Sequence, residues 1–477
     1  MTSPSPILLW FRRDLRLDDH PALQAALATG RPVLPVFVLD DSGTGLRPPG
    51  GAARWWLHGS LEALDAALRQ RGSRLILCRG DTPAVLARVA GEAGADTVHC
   101  SRAYTAQAAM QERAVRRALE AGGATLRRFA GGLLFEPAGI AGASGKPYRV
   151  FTPFWRACQA APEPKPPQSA PDRLPAPARW PAGEVLSDWS LRPTVPDWAG
   201  GLREHWQPGE AGAVAQMAGF LDARLAGYGE GRDRPDQPAT SGLSPHLAHG
   251  ELSPRRLWHA CRGHDGAEPF LRQLAWREFC HHLLHHWPDS AEQPFQPAYA
   301  AFPWREDDEG LRRWQRGLTG YPLVDAGMRQ LWHTGWMHNR VRMVAASFLV
   351  KHLLLHWRHG EAWFWDTLVD ADEANNAAGW QWVAGSGADA APFFRIFNPV
   401  AQGRRFDKDG AYIRRWLPEL AGLPDRHLHE PWSAPADVLR QAGVSLGESF
   451  PAPMVEHAGA RQRALAAFQA MRRGESG

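Results

Sequence analysis

The sequence predicts an α/β domain with a Rossmann-like parallel sheet, a long Pro-rich linker and an all-α domain, at residues 1–135, 136–209 and 210–477. Three observations carry this reading. Over the first 130 residues short apolar runs alternate with amphipathic stretches, the pattern of βαβ units. Eight Pro fall within residues 162–181, where each fixes its own φ and disfavours helix at its predecessor. Beyond about residue 210 only helical periodicity persists.

The elements follow in order. Strands are expected at 7–11, 33–39, 75–78 and 97–100, with a weaker fifth at 125–129. Helices are expected between them at 52–71, 83–93 and 106–120. The run Asp81, Thr82, Pro83 is a helix start, with capping side chains followed by Pro in the first turn. No G-x-G-x-x-G follows the first strand, so the dinucleotide fingerprint is missing. Such a sheet can still hold a ligand at the carboxyl ends of its strands. In the C-terminal half, helical patterns run through 252–261, 269–286, 322–333, 340–357, 361–368 and 456–473.

Composition narrows the class. A chain of 477 residues, at ~150 per domain, gives roughly three units or two large ones. Its 44% hydrophobic content excludes global disorder, and no apolar window is long enough to span a bilayer. No basic segment precedes the apolar run that ends at Leu9, so no secretory signal is expected. Five scattered Cys without a C-x-x-C read as reduced thiols of a cytoplasmic protein. The net charge of +4 permits nucleic-acid binding without requiring it. Tryptophan is the anomaly, 22 against 6 Tyr, which points to redox work, base stacking or a Trp-rich core.

Functional residue types concentrate between Tyr228 and Gln402. Thr240, Ser241, Gly242, Leu243 and Ser244 precede Pro245, with Ser244 a candidate N-cap, so the turn is either an anion site or a plain capped turn. Arg342 and Asp370 can pair, and Asn375 and Asn376 in a helical region suggest side-chain hydrogen bonding. His281, His282, His285 and His286 have zinc-compatible spacing, but no third ligand accompanies them and no metal is expected.

Several stretches resemble the photolyase/cryptochrome family, most closely bacterial class I-type cyclobutane-dimer photolyases. They are Trp10 to His20, Thr240 to Ser244, Trp276-Arg277-Glu278-Phe279, Thr319-Gly320-Tyr321-Pro322, Gly335 to Arg340, and the run D-A-A-P-F-F-R-I-F-N-P at 389–399. The resemblance implies an antenna domain, a connector, and a helical domain holding FAD in a U shape. It implies that the pyrophosphate sits on Thr240, Ser241, Gly242, Leu243 and Ser244, with Tyr228 beside it. Arg277, Arg342, Asp370 and Asp372 take flavin-contacting positions, and Asn376 the position at the ring's reactive nitrogen. Trp380, Trp357 and Trp304 match the chain of tryptophans that reduces the photoexcited flavin.

The implied reaction is light-driven repair of cyclobutane pyrimidine dimers in DNA, by electron transfer from photoexcited reduced FAD to a flipped-out dimer; photolyases are among the base-flipping enzymes the general principle names. Arg232, Arg340, Arg395 and Gln402 match DNA-contacting positions, with Arg404 and Arg405 as further candidates. Trp276 and Trp382 match residues that bracket the flipped bases. Asn339 and Met343 stand where cyclobutane enzymes carry Asn and Met, whereas Gln273 is the residue of six-four enzymes. Glu112 matches a residue that holds a reduced folate, methenyltetrahydrofolate; a deazaflavin or an empty antenna site remains open. A cryptochrome-type light sensor without repair activity is the alternative, against which the chain's short stretch after its last helical pattern counts. A monomer without protein partners is the family expectation.

Overall fold

The computed structural model describes residues 4–41, 46–142, 144–390 and 395–474. Four residues of the 389–399 run, Ala391, Pro392, Phe393 and Phe394, lie outside them. The chain divides into two compact units, residues 1–226 with 241–288, and residues 227–240 with 289–477. Packing therefore divides the chain elsewhere than composition does, because the helices within residues 210–226 and 241–288 belong with the sheet.

In the first unit five parallel strands take the order β3-β2-β1-β4-β5: β1 Ile7–Phe11, β2 Val33–Leu39, β3 Ile76–Arg79, β4 Thr97–Ser101 and β5 Thr125–Phe129. β1 is buried along its whole length, as a central strand covered on both faces must be. Its alternate residues feed two cores: Ile7, Leu9 and Phe11 on one face, Leu8 and Trp10 on the other. Helices α1 Pro21–Leu27, α2 Gly51–Gln70, α3 Thr82–Ala93 and α4 Ala106–Ala121 complete the crossovers. Asp81 caps α3 as expected, accepting from the Ala84 N–H at 3.1 Å. Residues 162–181 contain no helix, but a helix not read from the sequence, α5 Phe151–Ala160, precedes them.

The second unit is helical. Residues 340–357, expected as one helix, form instead Asn339–Ser347, a π-helical turn Phe348–His352, and the start of a new helix, Trp357–Thr367. Leu354, at φ 57°, turns the chain between them. The π-turn leaves Lys351 buried with its ammonium donating to the Arg395 carbonyl at 2.8 Å.

The turn Thr319-Gly320-Tyr321-Pro322 is held by one buried carboxylate. Asp325 accepts from the Thr319 N–H (2.8 Å), the Thr319 hydroxyl (2.6 Å) and the Gly320 N–H (2.9 Å). Burial nevertheless pushes its carboxyl up to about 6. Asp325→Ala orphans these donors, each worth ~1–3 kcal/mol when buried. A loss of roughly 3–5 kcal/mol is expected in urea denaturation; an unchanged midpoint would show that the turn does not depend on this side chain.

Candidate functional site

One cavity in the second unit gathers residues that lie far apart in sequence. Asn339, Arg342 and Met343 contribute from helix Asn339–Ser347, Phe364 from Trp357–Thr367, and Asn376 and Trp380 from Glu373–Ala384; Asp370 and Asp372 close it from the intervening segment. Each side chain is set by a local rule. Asp372 is the N-cap of its helix, accepting from the Asn375 N–H at 2.9 Å. Arg342 Nη2 donates to both oxygens of Asp370, at 2.8 and 3.1 Å, and its Nε donates to the Met337 carbonyl at 2.7 Å. That pair is partly screened: Arg342 is 23% exposed and Asp370 5%.

Asn376 donates its amide Nδ2 twice to Glu361, to the backbone carbonyl at 3.0 Å and to Oε1 at 2.8 Å. With both amide hydrogens engaged, the acceptor oxygen is the part of Asn376 left to present to the cavity. Trp380 is buried, yet its indole Nε1 has no hydrogen-bond partner among the described residues. A buried indole donor beside a lined cavity fits a ligand carrying acceptor atoms. An ion pair, an oriented amide and aromatic walls suit a planar polar heterocycle such as an isoalloxazine.

The Trp380 ring lies edge-on to Phe364 at 5.0 Å and to Trp314 at 6.1 Å. A Cβ on Gly360 would overlap it, so this glycine is what admits the indole against helix Trp357–Thr367. Trp357 is buried in the same core, and Trp304 is half-buried at its edge. His356 joins the latter two, 5.1 Å from the Trp304 ring and 5.7 Å from that of Trp357. Gly360 and Glu361 were not singled out by sequence reasoning, since a lone Gly or Glu in a helix carries no signal of what it touches.

Of the other expected residues of this unit, Asn339 and Met343 line the cavity and the rest are outside its lining. Asn339 and Met343 are in contact one helical turn apart, Nδ2 to Sδ 4.0 Å. Arg340 pairs with Asp233 at 2.8 Å and stacks on Phe406 at 4.4 Å, where Arg405 also lies, at 5.0 Å. Arg404 is ion-paired to Glu430, and Arg395 is exposed over Phe397. Gln402 has a buried Oε1 without a partner among the described residues. Tyr228 is buried, with the Arg232 guanidinium 5.7 Å from its ring. Trp382 is half-buried against the core.

Thr240 falls in the second unit, and Ser241, Gly242, Leu243 and Ser244 in the first. Gly242 needs its left-handed φ of 67°, and Ser241 Oγ accepts from the Leu243 N–H at 3.3 Å. Ser244 is not an N-cap: it is the first residue of a five-residue helix whose cap position, Leu243, makes no side-chain cap bond. The capped helix start read from the sequence is corrected accordingly.

In the first unit, helix Ala267–His286 carries Gln273, Trp276 and Arg277. Gln273 and Trp276 are half-buried. Arg277, expected at the flavin, directs its guanidinium to Glu278 (3.1 Å) and to the Gly132 carbonyl (3.2 Å). Glu278 is buried and accepts from the N–H groups of Leu134 and Phe135; burial pushes its carboxyl up to about 7. His282 accepts from the Tyr148 N–H, and burial lowers it to about 4, so it is a neutral core histidine. Glu112, expected at an antenna pigment, is held by protein partners. Its carboxylate accepts from Arg12 (2.7 Å), Arg128 (2.9 Å) and the Ala103 N–H (3.0 Å). Burial would raise its carboxyl, but the two guanidiniums hold it below the ordinary range.

Residues 7–175 match the family model described as DNA photolyase, and residues 270–470 that described as the FAD binding domain of DNA photolyase. A deoxyribodipyrimidine photo-lyase of Agrobacterium fabrum is 52% identical over 475 residues, covering 98% of both chains. Cryptochrome-1 of Arabidopsis thaliana is 39% identical, covering 94% of this chain and 68% of that protein. A solved bacterial class III photolyase from Agrobacterium tumefaciens superposes with a TM-score of 0.96 at 51% identity, covering 99% of each chain. That relative is of class III, where sequence resemblance pointed to the class I type. With relatives at this identity over nearly its whole length, an FAD-binding domain and a cavity of this make-up, the chain belongs to the photolyase/cryptochrome family.

Proposed function

We propose that this chain repairs cyclobutane pyrimidine dimers in DNA by light-driven electron transfer. The observation that carries the reading is the make-up of the cavity in the second unit: Asn339 and Met343, the cyclobutane-type pair, share one lining with Arg342, Asp370, Asp372, Asn376 and Trp380, the flavin-type set. When bound, FAD supplies light-driven one-electron donation there. The chain's own residues hold and shield. Arg342 and Asp370 offer a paired cation and anion for polar edges of the ring, and Asn376, held by Glu361, offers an oriented amide oxygen. Trp304, Trp357 and Trp380 carry electrons inward, from a half-exposed ring to a buried one.

On the nucleic-acid side, Arg232, Arg340, Arg395, Arg404 and Arg405 supply phosphate contacts; Arg340 and Arg404 must first exchange Asp233 and Glu430 for phosphate. Gln402 adds a polar contact. Trp276 and Trp382 each offer a half-buried indole for base stacking, worth ~1–3 kcal/mol per base. A dimer is already poorly stacked and paired, so extruding it costs less than extruding intact bases. Ring opening by electron transfer needs no general acid, in keeping with an amide and a thioether at Asn339 and Met343. Thr240 to Ser244 and Tyr228 would hold the rest of the dinucleotide. The chain works as a monomer, and Glu112, ion-paired to Arg12 and Arg128, borders the antenna site, which takes a folate or a deazaflavin or stays empty.

Illumination of the flavin-loaded protein with a thymine-dimer oligonucleotide should restore absorbance near 260 nm, as the bases regain aromaticity. No recovery, with dark binding intact, would favour the light-sensing alternative, for which the match to a plant cryptochrome is the supporting observation. Trp380→Phe should retain FAD but lose photoreduction from the oxidised state; wild-type kinetics would remove the proposed electron path. Gln273→Glu should raise the quantum yield of repair, since a protonated carboxyl O–H is a stronger donor to a dimer carbonyl than an amide N–H is. An equal or lower yield would refute that account of Gln273.

A further inference from the structure

The Trp276 indole is not an isolated platform. Its ring stacks on that of Phe151, with centroids 3.9 Å apart and planes 6° from parallel, and its edge meets Phe279 at 5.7 Å. Phe151 is 1% exposed and opens helix α5, in the segment expected to be linker. It is itself clamped: edge-on to Phe279 at 5.8 Å, with the Arg272 guanidinium 5.3 Å from its ring. Arg272 precedes Trp276 by one helical turn, on the same face of helix Ala267–His286. One indole face is thus covered at van der Waals distance, while the residue as a whole stays half-buried.

We infer that Phe151 is a positioning residue for substrate: it fixes the plane of Trp276, so that the opposite indole face stands ready to stack on a base of the extruded dimer. This rests on the role given to Trp276 above. A Trp held at χ1 and χ2 by a parallel ring loses little further freedom on binding, so stacking energy appears in affinity and is not spent on ordering the side chain. Packing alone would need only an apolar side chain of similar volume at residue 151; positioning needs a flat ring.

The two are separated by Phe151→Met, which keeps the volume and loses the plane, and by Phe151→Tyr, which keeps the plane. Dissociation constants of flavin-loaded protein are measured in the dark, for a thymine-dimer oligonucleotide and its undamaged counterpart. An aromatic pair contributes ~0.5–1.5 kcal/mol beyond its area, so Phe151→Met should weaken dimer binding about two- to tenfold. It should leave undamaged DNA, held by phosphate contacts, and flavin content unchanged. Phe151→Tyr should bind the dimer as wild type does. Phe151→Leu stands in should the Met variant not fold. Equal loss for both oligonucleotides, or no loss for the dimer, would overturn the inference. Trp276→Ala separates it from its premise: if that variant binds the dimer normally, the role of Trp276 falls and the inference with it. If it binds weakly while Phe151→Met does not, only the inference falls.

Discussion

The site depends above all on one helix contact, where Trp357–Thr367 packs against Glu373–Ala384. At Gly360 the first helix has no side chain, and the Trp380 indole occupies that space. One residue later Glu361 takes both hydrogens of the Asn376 amide. Two consecutive residues thereby set the ring proposed to pass electrons and the amide proposed to meet the cofactor. Because the contact is buried, neither side chain can be repositioned without opening the core. A larger residue at 360 or an apolar one at 361 would disturb both together.

Around that contact the ion pairs divide by the burial of their carboxylates, Asp370 being 5% exposed, Glu430 28% and Asp233 39%. Arg342 and Asp370 are matched within the cavity, where an unpaired charge would be costly. Toward solvent, Arg340 and Arg404 keep carboxylate partners that phosphate can replace, and Arg395 and Arg405 rest on aromatic rings. Partners at an exposed surface contribute little to stability, so exchanging them for a polyanion costs little. The second unit thus pairs a fixed interior with an adaptable cationic exterior.

Much of this was legible in the sequence, and what was missed has physical reasons. All five strands lie within a residue or so of their expected positions; β1 and β2 are buried and read as continuous apolar runs, whereas β5, the weaker candidate, is a largely exposed edge strand. The expected pairing of Arg342 with Asp370 and the hydrogen-bonding use of Asn376 are both present. The break in 340–357 was invisible, since a π-turn keeps an apolar pattern nearly helical. Helix Phe151–Ala160 was hidden by the Pro-rich residues after it. Ser244 was misjudged as an N-cap, and the protein partners of Arg277 and Glu112 were not foreseen, because position in a motif says where a residue sits, not which neighbour takes its hydrogen bonds.

The most direct measurement is a crystal structure of the flavin-loaded protein. The account predicts the isoalloxazine within the cavity of the second unit, in van der Waals reach of Trp380, its polar edges against Arg342, Asp370 and the Asn376 amide oxygen. A flavin seated elsewhere, or an Asn376 amide turned away from Glu361 with the cavity filled by protein side chains, would contradict it.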